Sequence, residues 1–263
     1  MLEVKNLSTY YYPDEKEMKA VDDVNFTVGK GEVLGILGES GSGKSTIAHS
    51  ILRLIYHPGK IVAGEIIFNG QDLLKLSDGE MIKIRGAKIS MIFQDPFSSL
   101  NPVFTVGDQI AEVIELHQGL SRKRAWSRAI EMLEIVRIKD AGLRIKDYPH
   151  QFSGGMRQRV MIAMALACKP QLLIADEPTT ALDTAIQQEI LELIKDLQRD
   201  FNLSVLYITH NFGIIKSLCK RVVVLCQGQV VEAGEVAKII AAPTQAYTKK
   251  LIEALRVLSA GSR

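Results

Sequence analysis

Between a short apolar run, Val33-Leu34-Gly35-Ile36-Leu37, and a helical pattern that continues through Ile47 to Leu52, the chain reads Gly38-Glu39-Ser40-Gly41-Ser42-Gly43-Lys44-Ser45-Thr46. This is the spacing G-x-x-x-x-G-K-[ST], set at a strand-to-helix turn, and few folds supply such a turn. Glycines let the backbone curl until several N–H groups point at one set of phosphate oxygens, at the positive end of a helix. Lys44 is expected to neutralise the β- and γ-phosphates, and the Ser45 hydroxyl to bind Mg²⁺. Gly38, Ser40, Gly41, Ser42, Gly43, Lys44, Ser45 and Thr46 are therefore candidates for a nucleoside triphosphate site. The competing reading is a merely flexible glycine turn, and the strand before it and helix after it argue against that.

The rest of the chain supplies a setting for that turn. Leu2 to Val4, Val24 to Val28 and Gly64 to Gly70 alternate like strands between turn residues, as in an antiparallel sheet beside a nucleotide core. A further strand-like run, Ile89 to Phe93, leads to Gln94-Asp95-Pro96, where proline is expected to stop regular structure. From Thr105 to about Arg144 apolar residues recur at three- and four-residue spacing, so this stretch is expected to be helical and inserted into the core. Another helix is expected from Gly155 to Cys168. Leu172 to Ala175, Val205 to Ile208 and Val222 to Leu225 are short and apolar throughout, as buried parallel strands are. Thr184-x-x-Gln187 has the form of a capping box ahead of a helix with Ile186, Ile190, Leu193, Ile194 and Leu197 on one face. Strands alternating with helices give an α/β fold with a parallel sheet.

Bulk properties exclude several classes. At 263 residues with 47% apolar residues, one large α/β domain can bury a core, and a net charge of +2 with mixed signs does not suggest nucleic acid. No apolar run approaches the roughly 18 residues that span a bilayer. Met1-Leu2-Glu3-Val4-Lys5 shows no signal peptide. Cys168, Cys219 and Cys226 lack C-x-x-C spacing and read as reduced, structural thiols of a cytosolic protein. No His/Cys/Asp cluster has zinc-ligand spacing, and His49, His57, His117 and His150 read as ordinary polar residues. Work at a membrane would thus require a recruiting partner.

Two further segments carry chemistry. Asp176-Glu177 ends the apolar run at Leu172 to Ala175 and resembles a Walker B segment, at the strand end where α/β proteins hold ligands. Asp176 is expected to hold Mg²⁺ and Glu177 to polarise the attacking water, with a solvated strand-capping pair as the alternative. Phe152-Ser153-Gly154-Gly155-Met156-Arg157-Gln158-Arg159 resembles the signature motif of ATP-binding cassette (ABC) proteins, although the common form has Leu and Gln where this chain has Phe152 and Met156.

That resemblance implies a single ABC ATP-binding domain over 1–263: a RecA-like P-loop NTPase core, an N-terminal antiparallel β subdomain, an α-helical subdomain inserted at about 97–158, and a tail at about 235–263. It implies that Ser153, Gly154 and Gly155 face the ATP of an opposing cassette, and that Gln94 is the Q-loop glutamine sensing Mg²⁺ and γ-phosphate. Asp183, in Ala181-Leu182-Asp183, corresponds to the D-loop, and it could also cap the following helix. His210 corresponds to the switch histidine, and Tyr11 to the ring against adenine, with Tyr10 and Tyr12 as alternatives. Catalysis would fall to Glu177, His210 and Gln94, and metal binding to Ser45, Gln94 and Asp176.

Gln94 through Asn101-Pro102 to Ile110, the Met156 signature, Asp176 to Asp183 and Tyr247-Thr248 are similar to the peptide/nickel importer branch. The tail reads Gln245-Ala246-Tyr247-Thr248 in place of that branch's usual His-Pro-Tyr-Thr, and no cysteine follows Cys226 to carry the iron–sulfur extension of some members. The implied protein is the ATPase subunit of a di- or oligopeptide or nickel importer. It would sit at the cytoplasmic face of the membrane, with ATP and Mg²⁺ as ligands. Its partners would be a second cassette, identical or different, permease subunits and, indirectly, a binding protein. Two alternatives are a soluble, non-transport cassette of the C–P lyase type and a P-loop kinase or switch protein.

Overall fold

The computed structural model describes residues 1–95, 99–180 and 182–260. The stop expected at Pro96, the start of the helical insertion at 97, the D-loop's Ala181 and the last three tail residues lie outside the described residues. In chain order the main elements are β1 (Leu2–Tyr11), β2 (Met18–Val28), β3 (Val33–Leu37), α1 (Lys44–Ile51), β4 (Gly59–Phe68), β5 (Gln71–Asp72), α2 (Asp78–Ile82) and β6 (Ile89–Ile92). Then follow α3 (Val106–Gln118), α4 (Arg122–Ile135), α5 (Ala141–Arg144), α6 (Gly154–Leu166), β7 (Leu172–Asp176) and α7 (Thr184–Phe201). The last are β8 (Ser204–Thr209), α8 (Phe212–Leu218), β9 (Arg221–Cys226), β10 (Gln229–Glu235), α9 (Val236–Ala241) and α10 (Ala246–Ala260).

The chain divides into two compact units, one formed by Met1–Ser77 with the segment from Ser204 onward, the other by Asp78–Leu203. In the first, an antiparallel sheet has the order β2-β1-β4-β5. Its strands run longer than the alternation predicts because β-bulges interrupt the pattern. Asn6 and Asp23 adopt left-handed backbone, φ 48° and 53°, and the β1–β2 register shifts between Val4 and Leu7. Asn6 is pinned there by an N–H bond to Asn25 Oδ1 at 2.8 Å and an amide bond to Asp23 Oδ1 at 2.7 Å. Each shift resets which face points inward, so a period of two cannot be followed through it.

The same unit holds β3 between β8 and β9, both parallel to it, with β10 antiparallel on β9. Leu34, Ile36, Leu37, Val205 to Ile208 and Val222 to Leu225 are buried, as strands covered on both faces must be. Thr9 and Ser50 hydroxyls meet at 2.9 Å in the buried seam between β1 and α1.

In the second unit β6 and β7 pair in parallel, and α3, α4 and α6 pack on one another. The apolar stripe of α7 is buried at Ile190, Leu193, Ile194 and Leu197, worth about 1.5–3 kcal/mol each. The expected capping box at Thr184 is corrected by the structure: the N-cap is Asp183, whose carboxylate accepts the Ile186 N–H at 2.9 Å. A carboxylate caps the positive helix end at least as well as a hydroxyl, and Asp183 already sits in the extended backbone that an N-cap needs. Among the described residues no helix is long and apolar enough to cross a membrane.

Candidate functional site

The glycine turn occupies the carboxyl end of β3. Parallel register places Leu37 opposite Thr209 of β8 and Val224 of β9, so the residues that follow all three strands share one edge of the sheet. Gly43 caps α1 in left-handed backbone at φ 101°, and a Cβ there would stand 2.1 Å from the Ala20 carbonyl oxygen. A Cβ on Gly38 would stand 2.4 Å from the Leu225 carbonyl oxygen, so both positions accept glycine alone. Gly41, at φ 79°, turns the loop tip through open space.

Unlike α3, α6, α7 and α8, whose first turns are capped by Thr105, Ser153, Asp183 and Asn211, α1 starts with no side-chain cap and no acid in its first turn. Its leading N–H groups therefore present positive partial charge at the loop. Lys44 is only 4% exposed, and its ammonium donates to the Gly38 and Glu39 carbonyls, each at 2.8 Å. Ser42 is buried, and its carbonyl accepts the Gly228 N–H at 3.0 Å, tying the loop to the β9–β10 turn. Ser45 and Thr46 stand half-buried on the first helical turn, while Ser40 is exposed. An uncapped helix start, a glycine turn and a buried ammonium have the form of a cradle for a phosphate chain.

His210 follows Thr209 directly and is exposed at the same sheet edge as the glycine turn. Asn211 holds the turn beyond it, donating its N–H to Thr209 Oγ1 at 3.0 Å and capping α8 through the Gly213 N–H at 2.8 Å. The three tyrosines differ in surroundings. Tyr10 donates to Asp22 at 2.6 Å and lies under the Lys19 ammonium, 5.2 Å from its ring centre; the Tyr10 hydrogen bond chiefly holds the Asp22 carboxyl below its ordinary range. Tyr11, at the end of β1, is half-buried with its ring against Gly59. Tyr12 is half-buried and anchored by its backbone N–H to the Pro58 carbonyl at 3.0 Å.

In the second unit, pairing of Ile92 with Ala175 sets Gln94 and Glu177 each two residues beyond the last ladder pair. The strands bring them together: the Gln94 amide donates to Glu177 Oε2 at 3.3 Å, and the Thr180 hydroxyl donates to the same oxygen at 3.0 Å. Thr180 is a contact that the motif reading missed; its signal was a hydroxyl three residues after the acid. Asp176, the last residue of β7, is 3% exposed and Glu177 is 8% exposed. Their oxygens are hard donors of the kind that Mg²⁺ takes. Glu177 also holds left-handed backbone at φ 45°, uncommon for a residue with a side chain.

Ser153 caps α6, its hydroxyl accepting the Met156 N–H at 3.4 Å, and is itself exposed. Gly154 and Gly155 form the first helical turn beside α7: a Cβ on Gly155 would meet Ile186 Cγ2 at 2.5 Å, and one on Gly154 would lie 3.6 Å from Leu182 Cδ2. The starts of α6 and α7, with exposed Ser153 and Asp183, are thus adjacent.

Comparison with known proteins places these features in context. A family profile described as ABC transporter matches residues 21–180. A probable peptide ABC transporter ATP-binding protein of Sinorhizobium fredii is 52% identical over 256 residues, covering 97% of this chain and 76% of that protein. An oligopeptide transport ATP-binding protein of Bacillus subtilis is 50% identical, covering 98% of this chain and 72% of its own length. A dipeptide transport ATP-binding protein of Escherichia coli is 48% identical, at 97% and 78%. Among solved structures, a dimeric bacterial ABC transporter cassette superposes with a TM-score of 0.80 at 31% identity, covering 90% of this chain and 99% of its own. A post-hydrolysis dimer of that cassette, bound to ADP and Pi, also gives 0.80, at 32% identity.

Proposed function

The chain belongs to the ABC transporter family, and from that premise we propose that it is the ATP-hydrolysing subunit of an importer for di- or oligopeptides. It works as one ABC domain whose helical insertion spans about 97–158, and the tail begins at about 235. The relatives named for peptide transport favour peptides over nickel as cargo. The observation that carries the reading is the Gln94 amide on the Glu177 carboxylate, because it joins a glutamine next to the helical insertion to the residue that activates water.

The division of labour follows from the side chains. Tyr11 stacks on adenine, and the backbone of Gly38 to Gly43 with Ser40 and Ser42 wraps the phosphates, aided by Thr46. Lys44, its ammonium aimed by the Gly38 and Glu39 carbonyls, turns its remaining N–H to β- and γ-phosphate oxygens. Ser45, Asp176 and Gln94 would hold Mg²⁺, which would supply positive charge for phosphoryl transfer. Glu177 orients a water for in-line attack and takes its proton, and His210 donates to the γ-phosphate. Ser153, Gly154 and Gly155 of one cassette present the α6 start to ATP held by the other, and Asp183 runs along the interface between them. Two cassettes close on two ATP molecules, and hydrolysis reopens them. The helical insertion passes that motion to permease subunits at the cytoplasmic face of the membrane, which a binding protein supplies with cargo.

The test is to tag the chain, extract membranes in mild detergent and identify the co-purifying proteins. Two polytopic permeases and a second cassette are expected; a soluble enzyme complex without membrane subunits would overturn the transport reading.

A further inference from the structure

We propose that Tyr247 is a positioning residue of the phosphate loop, fixing the Gly38–Glu39 peptide from the C-terminal helix. The proposal rests on the reading of that loop as the ATP phosphate cradle. Tyr247 lies in the first turn of α10, and its hydroxyl accepts the Glu39 N–H at 3.0 Å. The other end of the same peptide plane, the Gly38 carbonyl, accepts from the Lys44 ammonium at 2.8 Å. One rigid peptide unit is therefore held at both ends, and turning it would swing the Gly38 oxygen away from the lysine. The Glu39 carbonyl accepts from Lys44 at 2.8 Å and from the Ser42 N–H at 3.2 Å. Two consecutive carbonyls thus aim the ammonium, and Tyr247 orients the first of them.

The helix that carries the tyrosine is itself fixed. Glu232 on β10 accepts from the Thr244 N–H at 2.9 Å, the Thr244 hydroxyl at 3.0 Å and the Gln245 N–H at 3.3 Å, immediately ahead of α10. Thr248, next to Tyr247, is fully buried. The line of contact therefore runs from β10 through the α10 start and the Tyr247 hydroxyl to the loop and its lysine, all within one compact unit. Burial pushes the Tyr247 phenol above its ordinary value, so it stays neutral near pH 7 and accepts the loop N–H while keeping its own proton. Tyr247-Thr248, a pair similar to that of the importer branch, thus has a physical task.

The experiment measures equilibrium binding of fluorescent ATP and ADP analogues and steady-state hydrolysis on the full chain. Tyr247→Phe keeps the ring and removes only the hydroxyl. Both nucleotides should bind about two- to tenfold more weakly, the range for one neutral hydrogen bond, with kcat unchanged. Glu232→Ala should shift affinity in the same direction, and the double variant should lose no more than the larger single loss, because both act through one contact. Wild-type affinity in Tyr247→Phe, or additive losses in the double variant, would overturn the proposal. Lys44→Ala separates the two levels. If it binds ATP like wild type, the reading of the loop itself fails; if it abolishes binding while Tyr247→Phe changes nothing, only the role of Tyr247 fails.

Discussion

Glu177 takes hydrogen bonds from Gln94 and Thr180 on a single carboxylate oxygen, at a position whose backbone is left-handed. Such a conformation costs on the order of 1 kcal/mol and persists only where neighbours enforce it, as the Gln94 and Thr180 contacts do here. Glu177→Gln conserves shape and hydrogen bonding but cannot take a proton. It should bind ATP with wild-type affinity, hydrolyse it on the order of 10²- to 10⁴-fold more slowly, and remain a dimer by size-exclusion chromatography while ATP is present. Wild-type turnover in that variant would remove Glu177 from the base role. The placement of Lys44, Asp176 and Glu177 was legible in the sequence, because a fixed glycine spacing sets a helix start and an apolar run sets a strand end. Thr180 left only a weak trace, a hydroxyl three residues after the acid, and Tyr247 left none, since it meets Glu39 only through the fold.

At the scale of elements, helix starts decide much of the site. Asp183, not Thr184, caps α7, so Asp183→Ala should lower stability by about 1 kcal/mol in urea denaturation while Thr184→Ala leaves it within about 0.5 kcal/mol. The reverse ranking would restore the capping box. The start of α6 bears on the proposed dimer. Ser153→Arg, which blocks its exposed end, should abolish hydrolysis while leaving ATP affinity of the isolated monomer unchanged; parallel loss of both would contradict a site shared between two cassettes. Buried central strands were readable because β3, β8 and β9 are apolar throughout. The antiparallel strands were readable only in part, since left-handed residues at Asn6 and Asp23 break the alternation that a strand pattern relies on.

Across the whole molecule, charge couples stability to pH. Burial pushes the Glu232 carboxyl upward, but hydrogen bonds led by the Thr244 N–H outweigh it and hold it below its ordinary 4.5. Burial likewise opposes Asp72, where the Lys75 hydrogen bond and the Leu74 and Ile66 N–H groups win and lower it from 3.8. Asp22 is also lowered from 3.8, chiefly by Tyr10. A carboxylate more acidic when folded contributes stability above its unfolded pKa and loses it as pH falls through its folded one. The urea midpoint should therefore hold from pH 7 to about 5 and fall below about 4.5, and Asp22→Asn/Asp72→Asn/Glu232→Gln should flatten that fall. An unchanged pH profile in the triple variant would show that other groups govern acid unfolding. The three cysteines are thiols; Cys219, pushed up to about 12 by burial and by Glu32, should resist thiol reagents at pH 8 that label accessible thiolates.

The contact between Gly155 and Ile186 bears on how this chain can be altered. Any side chain at 155 enters the space of Ile186, so a larger residue there is tolerated only if position 186 shrinks to match. The two sites form one unit of redesign. In the proposed dimer, a cassette engineered for a new partner can vary the exposed faces of α6 and α7 independently, but it must inherit this pair intact or replace both at once.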